Sequence, residues 1–553
     1  LTLILIVGFL TICPVLMLFL GSFSQGLGAF GTFTLEKYIS AYTDPDFAEI
    51  LLNTLIFTLG SAVVATVLAL FLAYMNTRTN IPFKFLFGVI TIIPMMIPHI
   101  LFAVSWVLLL NPSNGILNRL LMQAFGLENA LLNIYTLPGM ILVEGLLDLP
   151  IAYLIIAPAM GSFDVSLEES SKVCGASFFR TLTRVTLPVL RPAILASGIL
   201  VIVRSLASFA VPSVIGMPGR KYVLATHIYR TISTGFATDY GKAAAIGMSA
   251  LAASIVLIYL YRYLTSESSR YVTISSRGYK PTLLDLKSAR IPLFGIVGFL
   301  SFILIVLPVV VLFYTSLLPY VMAPSARAFS LISFKNWIGV LKDPVSLLAL
   351  KNSLTLGLAG ATLGVILSVF VSYVIVKVRT TAAGILESLS FLSFSFPGIV
   401  IGVGFMWFFV HTPLYGTLWA LLIGYIATYL PYGIRPLSSA FVQIHSHLEE
   451  SSRVCGAGPF QTMRRIVIPL LIPGIISAWI LMATMFVREL TLSVVLSRPG
   501  SEVLAVQILR FAEDGLWGRL SALGIIMIFF SSTLVMAASL LGRKLMKAQS
   551  LSA

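Results

Sequence analysis

Long apolar runs separated by short polar ones set the pattern of this chain, and the runs recur near the ~20 residues that a helix needs to cross a hydrocarbon core. Twelve stand out, near 2–22, 50–75, 85–110, 137–160, 192–216 and 243–264, then near 291–317, 350–377, 384–411, 415–434, 472–497 and 518–541. The pattern predicts an all-α polytopic membrane protein built as two tandem six-helix halves. A polar, basic stretch at 265–290, with Arg270, Arg277, Lys280, Lys287 and Arg290, reads as a cytosolic linker. It divides a first half at 1–264 (core about 50–264) from a second at 291–553 (core about 350–542).

One polar island is written twice. Leu167-Glu168-Glu169-Ser170-Ser171-Lys172-Val173-Cys174-Gly175-Ala176 returns as Leu448-Glu449-Glu450-Ser451-Ser452-Arg453-Val454-Cys455-Gly456-Ala457. The differences 450 − 169, 456 − 175, 469 − 188 and 473 − 192 all equal 281, so Glu, Gly and two later prolines keep register. Asn53-Thr54-Leu55 likewise matches Asn352-Ser353-Leu354, and Pro98 matches Pro397, both at 299. Leu149-Pro150 matches Leu430-Pro431 at 281, so the first half carries 18 extra residues (299 − 281), around the polar external loop 111–136. Pro218-Gly219 pairs with Pro499-Gly500, and Gly241 and Gly247 with Gly518 and Gly524. The chain is a duplication.

Within the island, Leu167, Ser170 or Ser171, Cys174 and Phe178 share one face of a helix, flanked by Glu168, Glu169 and Lys172. Gly175 and Gly456 are expected to end that helix in a left-handed turn. Ser177 is expected to cap the next helix in the first copy; Gly458-Pro459 supplies the cap and first turn in the second. Basic residues follow (Arg180, Arg184, Arg464, Arg465), and Pro188 and Pro469 are expected to close the element before the next span. An amphipathic loop lying at the interface is the plain alternative. Two in-register copies with fixed Glu, Gly and Leu/Ile-Pro spacing favour a docking site.

These residues resemble the EAA loop of bacterial ABC importer permeases of the type I class. The Asn-Thr-Leu and Asn-Ser-Leu openings of spans two and eight and the span count fit that family over nearly the entire chain. The resemblance implies two type I permease repeats in a bacterial inner membrane, each loop a coupling helix seated in a cytosolic ATPase subunit. The docking residues it implies are Glu168, Glu169, Ser170, Ser171, Gly175 and Ala176, with Glu449, Glu450, Ser451, Ser452, Gly456 and Ala457. Glu169 and Glu450 would make polar contacts or cap the helix. Ser170-Ser171 and Ser451-Ser452 stand where the family usually has two alanines, and a hydroxyl there can bond the backbone. No GxxxxGK[ST] phosphate loop occurs, so ATP with Mg²⁺ is expected in the partner, two ATPase copies per chain, and no cofactor in this chain. The fused halves and the Phe-Val-Arg-Glu-Leu run at 486–490 most resemble ferric iron permeases. Similar fused permeases serve thiamine and phosphonate, and polyamine permeases are near relatives. In such importers an external binding protein chooses the substrate.

Composition removes other classes. With 58% hydrophobic and 10% charged residues and mean hydropathy +1.00, a soluble protein is excluded and the lipid bilayer is the expected surrounding. The net charge of +15 reads as positive-inside bias rather than nucleic-acid binding. Loops holding the repeats, linker and tail are the richer in Lys and Arg, which places both termini in the cytosol. Cys13, Cys174 and Cys455 make neither a disulfide framework nor a metal spacing, and the five histidines form no metal cluster. Leu1 stands where Met would open a chain, so an N-terminal piece is expected to be missing; residues 1–20 read as a retained helix. Among the charges inside expected spans, Glu144, Asp148, Arg204, Arg488 and Glu489 stand out. They are candidates for a translocation path or, equally, for ion pairs that hold helices together. A secondary transporter with two six-helix halves is the rival class, but its duplicated loop would follow span two, where 76–84 and 377–380 differ. A membrane enzyme would need a polar catalytic cluster, and neither HExxH nor a paired-Asp constellation is present.

Overall fold

Hydrocarbon offers no partner for backbone N–H and C=O groups, so apolar runs of this length must become helices. The computed structural model describes residues 1–26, 33–162, 164–233, 238–266, 283–378, 380–393 and 396–552. The first half contains α1 (Thr2–Ser22), α2 (Phe47–Arg78), α3 (Lys84–Ile92), α4 (His99–Leu110), α5 (Leu137–Ser162), α6 (Ser166–Val173), α7 (Phe178–Ala207), α8 (Leu224–Ser233) and α9 (Tyr240–Ser266). The second repeats them in order as α10 (Lys287–Ser316), α11 (Pro344–Val378), α12 (Thr381–Leu392), α13 (Gly398–Phe409), α14 (Leu418–Gln443), α15 (Ser446–Val454), α16 (Pro459–Val487), α17 (Leu504–Glu513) and α18 (Trp517–Ser552). Most of the expected linker, 267–282, lies outside the described residues.

Among the described residues, nine helices are long and apolar enough to cross a membrane alone. The other three expected spans differ in kind. The run 85–110 is a pair, Lys84–Met95 and His99–Leu110, bent by 100°. Pro94 and Pro98 lie at the break, where each removes a backbone donor. The run 384–411 is likewise two helices, α12 and α13, each of 12 residues. Twelve residues span about 18 Å, well short of a ~30 Å hydrocarbon core. Residues 399–407 of α13 are all buried, so this very apolar segment packs against protein on every side. The third, α14, is a single helix of 26 residues, but Arg435 and two internal prolines make it less apolar.

Spans five and eleven begin and end earlier than their hydropathy suggests. Pro188 and Pro469 do not close an element; helix continues through both, because a π-turn at Leu182–Thr186 and at Met463–Val467 precedes each proline. The wider turn makes room for the ring and for the carbonyl that proline cannot bond. A third π-turn, Phe302–Val306, precedes Pro308 in α10 by the same spacing. With this earlier start α7 ends at Ala207 and α16 at Val487, so Arg488 and Glu489 lie just beyond a span rather than within it.

The boundaries expected at 264 and 290 belong to the duplication in sequence; the compact units are cut differently. One unit comprises Leu1–Asp44, Ile228–Leu251 and Lys335–Ala553; the other comprises Pro45–His227 and Ala252–Phe334. In the first unit α11, α14 and α16 pack on one another, and in the second their counterparts α2, α5 and α7 do the same. Each unit also holds the first helix of the opposite half. α1 lies on α12 and α13, while α10 lies on α3 and α4, where Phe294 meets Phe83 and Phe87 with ring centroids 6.3 and 5.6 Å apart.

Small residues permit the α1–α13 approach. A Cβ on Gly404 would overlap the Pro14 carbonyl oxygen, and one on Gly21 would lie 2.5 Å from Trp407 Cε2. Backbone cannot yield as a flexible side chain can, so Gly404→Val is expected to destabilise the protein by about 3 kcal/mol. Thermal unfolding in detergent checks this, with Gly384→Ala, whose Cβ meets nothing within 4 Å, as the neutral control.

Candidate functional site: the repeated loop helices and the charged span junctions

Each copy of the island is a short helix, a glycine elbow and a second helix. Gly175 and Gly456 have φ of +78° and +81°, the left-handed region that favours glycine. Gly175 N–H donates to Lys172 O at 2.9 Å and Ala176 N–H to Ser171 O at 3.1 Å. Gly456 N–H and Ala457 N–H make the same bonds to Arg453 O and Ser452 O, at 2.9 and 3.0 Å. This paired closure satisfies carbonyls that a helix end would otherwise leave without partners. Gly458 and Pro459 cap the second copy as expected from sequence. Ser177 holds the cap position in the first copy by its extended backbone, but its side chain makes no capping bond.

The serines that replace alanine do not turn to the backbone. Ser171 Oγ bonds Thr181 Oγ1 at 3.0 Å and Ser452 Oγ bonds Thr462 Oγ1 at 2.9 Å, tying each short helix to the helix after its elbow. Ser171 and Ser452 therefore face inward, whereas Ser170 and Ser451 are exposed. The outermost side chains were not singled out by sequence: Val173 and Val454 are 88% and 89% exposed, accompanied by Phe179 and Phe460. Their signal was available, since an apolar residue beside a charged one on a polar helix has no core to enter.

Of the two glutamates in each copy, the first is buried. Glu168 accepts from Thr186 Oγ1 at 2.7 Å and lies in the field of Arg78, itself buried at the end of α2. Glu449 meets Lys377 Nζ at 3.1 Å and accepts from Tyr373 Oη at 3.2 Å, while Lys377 also donates to Ile444 O at 2.7 Å. Arg78 and Lys377 are counterparts at 299, as are Tyr74 and Tyr373. The first glutamate thus fastens the short helix, to α7 through Thr186 in the first copy and to the end of span eight through Lys377 in the second, and does not flank the outer face. The second stays near the surface: Glu450 is exposed and meets His447 Nδ1 at 3.1 Å.

The charges expected inside spans form two junctions. Arg204 Nε donates to Asp148 Oδ1 at 2.9 Å, Ser205 Oγ to Asp148 Oδ2 at 3.4 Å, and Ser208 Oγ to Glu144 Oε2 at 2.9 Å. All of them join α5 to the end of α7. In the second half Tyr425 and Tyr429 replace Glu144 and Asp148, and Glu489 replaces Ser208, each at 281. Tyr429 Oη donates to Glu489 Oε2, Leu492 N–H donates to Glu489 Oε1 at 2.7 Å, and Tyr425 Oη meets Ser493 Oγ at 2.6 Å. Arg488 turns to the sulfur of Met485, 3.0 Å from its Nη2.

Residues 45–269 and 360–547 match the sequence profile of the binding-protein-dependent transport system inner membrane components. The chain belongs to this family. As such a component it is a multi-pass inner-membrane permease that works with a substrate-binding protein, and its task is transport rather than catalysis. The ferric transport system permease protein FbpB of Actinobacillus pleuropneumoniae is 27% identical over 97% of this chain and 77% of its own length. A putative ferric transport system permease protein FbpB of Haemophilus influenzae is 28% identical over 89% of this chain and 76% of its own. The spermidine/putrescine transport system permease protein PotC of Escherichia coli is 24% identical over 38% of this chain and 79% of its own.

The two glutamates of the permease's second loop should separate in a stability measurement. Glu449→Ala strands a mostly buried Lys377 and is expected to cost about 3 kcal/mol. Glu450→Ala removes an exposed contact and is expected to change stability by less than about 0.5 kcal/mol. Thermal unfolding of the two variants in detergent, side by side, checks the contrast.

Proposed function

We propose that this permease imports ferric iron delivered by an external binding protein, driven by two copies of a cytosolic ATPase seated on α6 and α15. The observation that carries the docking reading is the pair of in-register tips. Val173 and Val454 stand out from polar helices at equivalent positions, where a partner's groove would bury each for about 2 kcal/mol. A lipid-facing role suits them poorly, because charged residues surround both. Nucleotide and Mg²⁺ would be bound by that partner, as this sequence holds no phosphate loop. Seating the ATPase on these loops puts them, and both termini, in the cytosol.

The iron reading rests on the ferric permeases, whose likeness extends over nearly the whole chain. The polyamine reading has the narrower support of a likeness to 38% of the chain. Val173→Asp with Val454→Asp is expected to reduce ATPase copurification at least tenfold while the permease folds normally, since neither side chain is part of a core. Gly175→Pro with Gly456→Pro is expected to do the same by forbidding positive φ. Retained ATPase binding in both double variants would refute the docking reading. Uptake of labelled putrescine but not iron by the complex in proteoliposomes would refute the iron reading.

A further inference from the structure

A cavity of about 410 Å³ lies within the unit that contains α15, at the far end of α11 from that helix. The direction follows from two bonds: Leu504 N–H, opening α17, donates to Ser353 Oγ at 2.8 Å, whereas Lys377, 24 residues along α11, holds Glu449. Twenty-four helical residues cover about 36 Å, enough to cross a bilayer core of about 30 Å. Residues of α17 line the cavity, which therefore lies on the side opposite the docking helices.

The charged residues of its lining are Arg498, Arg510 and Glu513. Arg498 is held in place: Nε and Nη2 donate to Tyr415 Oη at 3.1 and 2.7 Å, and Nη1 donates to the carbonyls of Val495 and Ser497 at 3.1 and 2.8 Å. All these acceptors are neutral, and among the described residues no carboxylate pairs with Arg498. Its charge is thus fixed in position and left without a counter-ion at the cavity wall.

Arg510 is open in a different way. Its Nη1 lies 3.6 Å from Glu502 Oε1, too far for a hydrogen bond, and its N–H groups reach no acceptor among the described residues. The other oxygen of Glu502 is occupied by Gly500 N–H at 2.8 Å. Arg510 therefore presents to the cavity a planar fork of donors, the geometry that takes a carboxylate or phosphate through two parallel bonds. Glu513 follows it by three residues on α17 and accepts from Tyr229 Oη at 3.3 Å. Glu502 offsets part of the Arg510 charge from outside the lining; nothing offsets Arg498.

The first repeat does not rebuild this place. Met217 stands where the second has Arg498, at an offset of 281, and Ser233 where it has Glu513, at 280. One such cavity per chain follows.

We propose that this cavity binds a single oxyanion, a carboxylate or phosphate group, with Arg510 as the two-pronged donor and Arg498 as the fixed counter-charge. The site concerns an anion and no metal, so it stands apart from the iron reading. A small free anion and a phospholipid headgroup carry the same chemistry, and the experiment separates them.

The full chain, stripped of lipid in a maltoside detergent, is titrated calorimetrically with citrate and with inorganic phosphate in Tris chloride. Saturable binding of at least one of them at a single site per chain is expected. Arg510→Gln should weaken it at least tenfold. Glu513→Gln should tighten it, because the competing carboxylate is gone while the shape is kept. The same titration in phosphatidylglycerol nanodiscs identifies the source: unchanged binding assigns the site to a free anion, and binding seen only in detergent assigns it to a headgroup. No binding of either anion in detergent overturns the site, as does unchanged affinity in Arg510→Gln or weaker binding in Glu513→Gln. Should Arg510→Gln fail to fold, Arg510→Lys, which keeps the charge without the fork, is expected to weaken binding, and the Glu513→Gln titration still decides the sign.

Discussion

A carboxylate buried between membrane helices must be met by donors from a neighbouring helix, and the junction of the fourth and fifth spans is built on that requirement. In the first half the acids sit on α5 and the donors on α7. In the second half the tyrosines sit on α14, and Glu489 lies beyond the end of α16. The positions are the same in both halves; donor and acceptor have changed sides. Because α6 connects α5 to α7, and α15 connects α14 to α16, these bonds also fix the frame that carries each exposed loop helix. Glu168 and Glu449 add a second fastening, to Thr186 of α7 and to the end of α11.

Proline does different work at different places in this bundle. At Pro188, Pro308 and Pro469 the helix absorbs the missing donor in a π-turn and continues. At Pro98 the chain turns instead, and α4, which follows a bend of 100°, is buried in protein from Ile100 to Leu110.

The Asn-Thr-Leu and Asn-Ser-Leu pairs illustrate a motif whose use became visible only in space. Thr54 Oγ1 accepts from Leu224 N–H at 3.0 Å, and Ser353 Oγ from Leu504 N–H at 2.8 Å. Each hydroxyl thus satisfies a donor at the start of α8 or α17, helices about 150 or more residues away in sequence. The adjoining Asn352 donates to Gly500 O and Glu502 O, which holds the segment leading into α17.

Class, duplication and the left-handed glycine elbows were legible in the chain because each depends on local properties: run length, repeated register, and the conformational freedom of Gly175 and Gly456. Span ends were less legible. Hydropathy averages over a window and does not register a π-turn, so the earlier starts of α7 and α16, and the place of Arg488 and Glu489 beyond a helix, escaped it. Apolar content also cannot tell lipid from protein as a neighbour, which is why α4 and α13 read as ordinary spans. Which glutamate of each pair faces inward, which hydroxyl reaches Thr181 or Thr462, and which half lends its first helix to which unit depend on partners far away in sequence. Those were decided by tertiary packing, since only there do charge, hydrogen-bond donor and steric room meet at one point.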